Sequence, residues 1–219
     1  MTLFLRTCKK DGTSYKGYKW NLKIGAVNVA DDYNDRAECG GGLHGIKNGI
    51  GSAGYLDFSD GYIGVVFSAD EYVDIDCEKS KCREARVEFV GELKLCADYI
   101  HNQTGLSGII CQVATAGDRG NATAGDRGTA TAGDRGTATA GYWGTATAGY
   151  EGTATAGYEG TATAGYWGTA TAGDEGTIVI KYHYGNRYRL KVGYIGDDGL
   201  MPNTAYRLDD NNNFVEVGK

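Results

Sequence analysis

Residues 114–177 are eight consecutive octapeptides: ATAGDRGN, ATAGDRGT twice, ATAGYWGT, ATAGYEGT twice, ATAGYWGT and ATAGDEGT. A short fixed period gives every unit the same face, so neighbouring units stack on one another and the chain winds into a solenoid. In each G-T-A-T-A-G stretch the two Thr stand two residues apart. An extended backbone therefore sends both Thr to one side and the intervening Ala to the other, which places Thr outward and Ala inward. One octad per coil leaves almost no straight strand. Two octads give two short strands and two bends, and eight octads then make about four coils. The alternative is an antiparallel meander that turns at each Gly-Asp-Arg-Gly.

An inward Ala hides little apolar area at ~25 cal/mol per Å², so such an array depends on ladder hydrogen bonds, side-chain stacks and covered ends. The flanking regions supply candidates for those ends. The expected fold is an α+β N-terminal domain over residues 1–113, a flat β-solenoid of about two octads per coil over 114–177, and a β-meander cap over 178–219. In the first region Leu3–Thr7, Leu22–Val29, Gly61–Ser68 and Arg83–Val90 read as strands, and Glu92–Asn102 as a helix. Leu93, Cys96, Ala97 and Ile100 share one face of that helix. Asp31–Gly54 reads as a loop carrying the segment ECGGGLHG. In the last region Thr177–Tyr184, Arg187–Tyr194, Thr204–Leu208 and Phe214–Val217 read as strands, with turns at Gly185-Asn186, Gly196–Gly199 and Asp209–Asn213.

Composition removes several classes of function. The chain has 219 residues and a net charge of -6, and its Lys and Arg never form a run, so no segment tracks a nucleic-acid backbone. No apolar stretch approaches the ~20 residues that a membrane helix needs, and the first residues lack the cleavage pattern of a secretory signal. The 36 Gly against a single Pro, Pro202, indicate an ordered backbone needing small residues at regular places. The six cysteines fit no zinc template and read as reduced, mostly buried thiols of a cytoplasmic protein, with extracellular disulfides the second reading. Neither a metal nor a cofactor is expected. Cys39 and His44 flank Gly40–Gly42, a pattern that a thiol nucleophile or an anion-binding nest also uses. Tight-loop packing explains it without chemistry, and the chain reads as a non-enzyme.

The variable octad positions carry the functional signal. The fifth column is Asp118, Asp126, Asp134, Tyr142, Tyr150, Tyr158, Tyr166 and Asp174; the sixth is Arg119, Arg127, Arg135, Trp143, Glu151, Glu159, Trp167 and Glu175. Columns this permissive face solvent or a partner. With two octads per coil, alternate members of each column stack along opposite edges. The expected contact face is an aromatic and acidic edge carrying Tyr142, Trp143, Tyr150, Tyr158, Tyr166 and Trp167, with Glu151 and Glu159 meeting basic residues of a partner. A tyrosine ladder that only reinforces the array is the structural alternative.

Two resemblances extend this reading. The repeat GTATAGYEGTATAGYE resembles the units of bacterial ice-nucleation proteins and, more loosely, the Thr-x-Thr faces of insect antifreeze solenoids, which implies ordering of water or ice. RTCKKDGTSYKGYKW, ECGGGLHG, GYIGVVFSADEYVDID and KCREARVEFVG resemble uncharacterised domains of phage and prophage proteins. RYRLKVGYIGDDGLMPNTAYRLDDNNNFVEV resembles the tail that accompanies such octad repeats. That resemblance implies a protein made in the cytoplasm of an infected or lysogenic bacterium. Its expected partner is a host protein or protein complex, as for a counter-defence inhibitor, with self-association through the repeat edge a further expectation. A virion scaffold is the structural rival.

Overall fold

The computed structural model describes residues 1–14 and 17–218. Tyr15 and Lys16, which belong to one of the segments resembling phage domains, and Lys219 lie outside the described residues. The chain divides into two compact units, Met1–Ile110 and Cys111–Lys219.

The first unit is built on a seven-stranded antiparallel sheet. Its strands are β1 (Thr2–Lys9), β2 (Val27–Val29), β3 (Leu43–Lys47), β4 (Tyr62–Ala69), β5 (Val73–Asp74), β6 (Ser80–Cys82) and β7 (Glu84–Gly91), in spatial order β2-β7-β4-β1-β3-β6-β5. Phe4, Cys8, Trp20, Val65, Phe67, Ala85 and Val87 form one buried cluster of this unit. Helix α1 (Leu93–Thr104) packs against β4 and β7 and buries Cys96, Ala97 and Ile100. It ends at Gly105, whose φ of 70° and N–H to the His101 carbonyl (2.7 Å) make a left-handed C-terminal cap. The expected α+β domain is thus chiefly sheet, with α1 its one α-helix among the described residues. Two local expectations need correction. Only Val27–Val29 of Leu22–Val29 is strand, because the first half is taken by a turn: Gly25 has φ 82° and Ala26 N–H donates to Lys23 O at 2.9 Å. The Asp31–Gly54 loop contains β3, which pairs with β1 and β6.

The second unit contains the solenoid. Strands β8 (Val113–Ala116), β9 (Asn121–Thr123), β10 (Thr129–Ala132), β11 (Thr137–Thr139), β12 (Thr145–Ala148), β13 (Thr153–Thr155), β14 (Thr161–Ala164), β15 (Thr169–Thr171) and β16 (Thr177–Tyr184) alternate between two parallel sheets. Thr129 pairs with Thr145, Thr145 with Thr161 and Thr161 with Thr177, so each coil advances by two octads. The parallel ladders exclude the antiparallel alternative. Ala130, Ala138, Ala146, Ala154, Ala162 and Ala170 are fully buried and the Thr face outward, as period-two alternation requires.

At the last coil the core changes size. Ile178 and Ile180 pair beside Ala162 and Ala164, and Ile195, Leu200 and Tyr206 join the same buried cluster. The C-terminal strands fall near their expected positions but do not form one meander. Strand β17 (Arg187–Tyr194) pairs antiparallel with β16 in one sheet, whereas β18 (Tyr206–Leu208) pairs with β15 and β19 (Phe214–Glu216) with β18 in the other. The split arises because both sheets end in an open strand at this point and each takes its own hairpin.

Candidate functional site

Every octad turns at its fourth to seventh residues. The seventh-column Gly N–H donates to the fourth-column Gly carbonyl across each turn, from Gly120 to Gly117 (3.0 Å) through Gly176 to Gly173 (3.1 Å). The third residue of each turn is the sixth-column side chain, and there φ is positive: 57° at Arg119, 54° at Arg127, 57° at Arg135, 55° at Trp143, 51° at Glu151, 48° at Glu159, 60° at Trp167 and 55° at Glu175. This region favours Gly or Asn and costs other residues roughly 1 kcal/mol or more. In this conformation the sixth-column N–H donates to the fifth-column carbonyl one coil further on, as Arg135 does to Tyr150 (2.7 Å) and Trp143 to Tyr158 (2.8 Å).

The octad glycines answer a different need. None has positive φ, but Gly120 and the octad glycines from Gly128 onward sit where a Cβ would meet the same turn or the coil before. A Cβ on Gly136 would stand 2.8 Å from Ala132 Cβ and 2.9 Å from Gly120 O, and one on Gly149 would strike the Asp134 carboxylate.

Three of the four Asp members of the fifth column are structural, whereas Asp174 accepts from the N–H of its neighbour Glu175. Asp118 Oδ1 accepts from Asp134 N–H (3.0 Å), Asp134 Oδ1 from Tyr150 N–H (2.8 Å) and Asp126 Oδ1 from Tyr142 N–H (2.9 Å), so each carboxylate clamps the next coil. Where Tyr replaces Asp, stacked rings take over. Cys111 extends the column beyond the recognisable repeat: its φ is 61° and its N–H donates to Asp126 O at 2.9 Å. The sequence hides this extra turn because Cys-Gln-Val stands where Arg-Gly-Thr would.

The eight residues expected on one contact face lie on two edges. Turns leading from the β8–β16 sheet to the β9–β15 sheet carry Tyr150, Glu151, Tyr166 and Trp167; the return turns carry Tyr142, Trp143, Tyr158 and Glu159. Successive turns of a two-octad coil must alternate, so the single aromatic edge is replaced by two clusters.

On the first edge Tyr166 stacks on Trp167 (4.9 Å between centroids, 25° between planes), Tyr150 lies 6.0 Å from Trp167, and Tyr166 continues to Tyr188 of β17 at 5.9 Å. Glu151 is already engaged, because Arg135 Nε donates to its Oε2 at 2.7 Å. That bond, followed by the Tyr150 hydroxyl, holds the Glu151 carboxyl below the usual range.

On the second edge Tyr142, Trp143 and Tyr158 make a triangle. Their centroids are 6.1, 6.1 and 6.2 Å apart, and Trp143 meets the two tyrosines edge to face at 79° and 88°. The Arg127 guanidinium lies over the Trp143 ring at 5.2 Å. The Tyr158 hydroxyl is pushed up to about 12 by hydrogen bonds to Glu159 and Glu175. Tyr142 (53%), Trp143 (39%) and Trp167 (64%) are the most exposed rings of the array.

The Cys39–His44 segment is arranged differently from a nucleophile and base. Cys39 is exposed with its Sγ 3.2 Å from Lys79 Nζ. His44 Nε2 is buried without a hydrogen-bond partner, and its imidazole is lowered to about 4 by burial and then by Lys79, Arg6 and Lys81. The glycine loop presents carbonyls inward: Lys81 Nζ donates to Glu38 O and Gly40 O, both at 3.0 Å, and to Asn34 Oδ1 at 2.9 Å. It therefore cradles an internal ammonium where an anion nest would aim N–H groups.

Among the described residues no cluster of His, Cys, Asp or Glu is suited to hold a metal, and no helix is long and apolar enough to cross a membrane. Comparison with protein-family models, curated proteins and solved structures finds no match to the chain.

Proposed function

We propose that this chain is a non-enzymatic binding protein of phage or prophage type, acting in the bacterial cytoplasm, whose octad turns dock on a host protein or protein complex, as a counter-defence inhibitor does. One observation carries the reading. Eight successive turns hold Arg, Trp or Glu in the left-handed region, and none uses the Gly or Asn that the backbone prefers there. Retaining a large side chain at that cost eight times over indicates that the side chains are used. Tyr, Trp and Arg are also the residues through which protein interfaces gain most of their affinity.

In this reading the array is a flat display surface and the two C-terminal hairpins close its end, with Ile178, Ile180 and Tyr206 filling the space that Ala leaves. Recovery of one stoichiometric host complex by the tagged chain, and its loss in a Trp143→Ala/Trp167→Ala double variant with an unchanged thermal midpoint, is the expected result. Undiminished recovery by the double variant removes the turns from the interface. A scaffold that self-associates through the same edges would instead appear as a higher molar mass in solution, sensitive to the same substitutions.

The Thr rows support a second reading. Thr129, Thr145, Thr161 and Thr177 are paired in register across one sheet and Thr137, Thr153 and Thr169 across the other. They form a hydroxyl and methyl lattice at ~4.8 Å between strands. Inhibition of ice recrystallisation is the measurement; ordinary crystal growth dismisses it.

A further inference from the structure

We infer that the edge built from Tyr142, Trp143 and Tyr158 is the contact edge proper, and that it receives an arginine-bearing segment of a protein partner. This rests on the reading of the octad turns as a protein-binding surface and adds which edge binds and what chemistry it takes.

The two edges differ in what remains available. On the Tyr150/Trp167 edge, Glu151 is neutralised by Arg135, and the ring stack runs on into Tyr188, over which Lys181 Nζ sits at 5.2 Å. There the protein's own cations neutralise Glu151 and cover the Tyr188 end of the stack, so the glutamate of that edge offers the exposed Trp167 no uncompensated carboxylate. On the Tyr142/Trp143/Tyr158 edge, Glu159, Asp174 and Glu175 follow one another in the last two turns and are all exposed. Among the described residues no salt bridge joins any of the three to a basic side chain. Glu159 and Glu175 act on the Tyr158 hydroxyl, raising it, which puts both near that ring; each carboxylate has more acceptor sites than one hydroxyl can fill.

The edge already shows its preferred ligand in miniature. Arg127, one coil before Trp143, lays its guanidinium on that indole, while the edge-to-face packing turns the three ring faces in different directions. A planar guanidinium both stacks on an aromatic face and bonds a carboxylate through two parallel N–H groups, which a lysine ammonium does not. Aromatic faces beside three uncompensated carboxylates therefore select arginine by shape and charge together.

The test uses the intact chain and three capped hexapeptides, hexaarginine, hexalysine and hexaglutamate, with affinity measured by calorimetry at two salt concentrations. Hexaarginine is expected to bind at least about fivefold more tightly than hexalysine, and hexaglutamate not to bind. Trp143→Ala and the isosteric pair Glu159→Gln/Glu175→Gln, whose exposed side chains leave the fold untouched, are each expected to weaken hexaarginine about tenfold. Trp167→Ala is expected to weaken it far less. Equal affinity for hexalysine, or a loss at Trp167 matching that at Trp143, overturns the inference while leaving the turns as a protein-binding surface. Indifference to both tryptophans in this assay and in host-complex capture overturns both.

Discussion

At the scale of single residues the octad separates two jobs that glycine usually combines. The position whose φ calls for glycine holds Arg, Trp or Glu, whereas Gly120 and the octad glycines from Gly128 onward have ordinary φ but no room for a Cβ, and Gly117 of the first octad has open space. Opposite responses to substitution follow. Arg119→Asn places a residue tolerant of the left-handed region in the first recognisable turn and is expected to raise stability by up to ~1 kcal/mol. Gly149→Ala is expected to lower it by roughly 1–3 kcal/mol, because the new methyl meets the Asp134 side chain and backbone of the preceding coil. Denaturant titration of both variants decides the matter; stabilisation by Gly149→Ala would refute the packing account. The sequence shows that small residues recur, but spacing alone does not say whether φ or coil-to-coil contact demands them. It also presents the Asp column as open surface, whereas Asp118, Asp126 and Asp134 spend an oxygen on the next coil's backbone.

Among the elements, those with strong local signals were legible. Thr177–Tyr184 and Arg187–Tyr194 are bounded by Gly-Asn and alternate clearly, and both strands match. Strand β3 was not legible, because Leu43-His-Gly-Ile-Lys is short and follows three glycines; its pairing with β1 and β6 is decided by tertiary contacts. The way β3 is buried has a consequence for pH. His44 is enclosed with Arg6, Lys79 and Lys81 as charged neighbours, so it is neutral in the folded unit with a pKa of about 4, against about 6.5 when unfolded. Between these values the unfolded chain binds a proton that the folded one refuses. Stability is complete above about pH 6.5 and falls as pH drops towards 4, by on the order of 2 kcal/mol once partial exposure is allowed for. Denaturant midpoints of the first unit at pH 7 and pH 4.5 should separate less in His44→Gln than in the parent; an identical separation excludes His44 as the source.

For the whole molecule the architecture of the array and the alternation of its columns between two edges were readable, and the single contact face was not compatible with them. Eight octads and a Thr-Ala alternation point to two-octad coils with Ala inward, and the parallel ladders decide between that winding and an antiparallel meander. Grouping the aromatic residues on one face follows their neighbourhood in sequence, whereas the two-octad coil, as the alternation of the columns already implies, deals them to two edges. Removing the single octad 153–160 should therefore bring Trp143 and Trp167 onto adjacent coils of the same edge, giving an exciton couplet in circular dichroism that the parent lacks. Removing two octads, 145–160, should leave them on opposite edges and silent. A couplet in the second deletion rather than the first would contradict the two-octad coil.

Because the unit copied in the sequence is half the unit wound in space, unequal recombination within the array has parity. Gains and losses of two units preserve the partition of side chains, while an odd change exchanges the partners of everything downstream in one step.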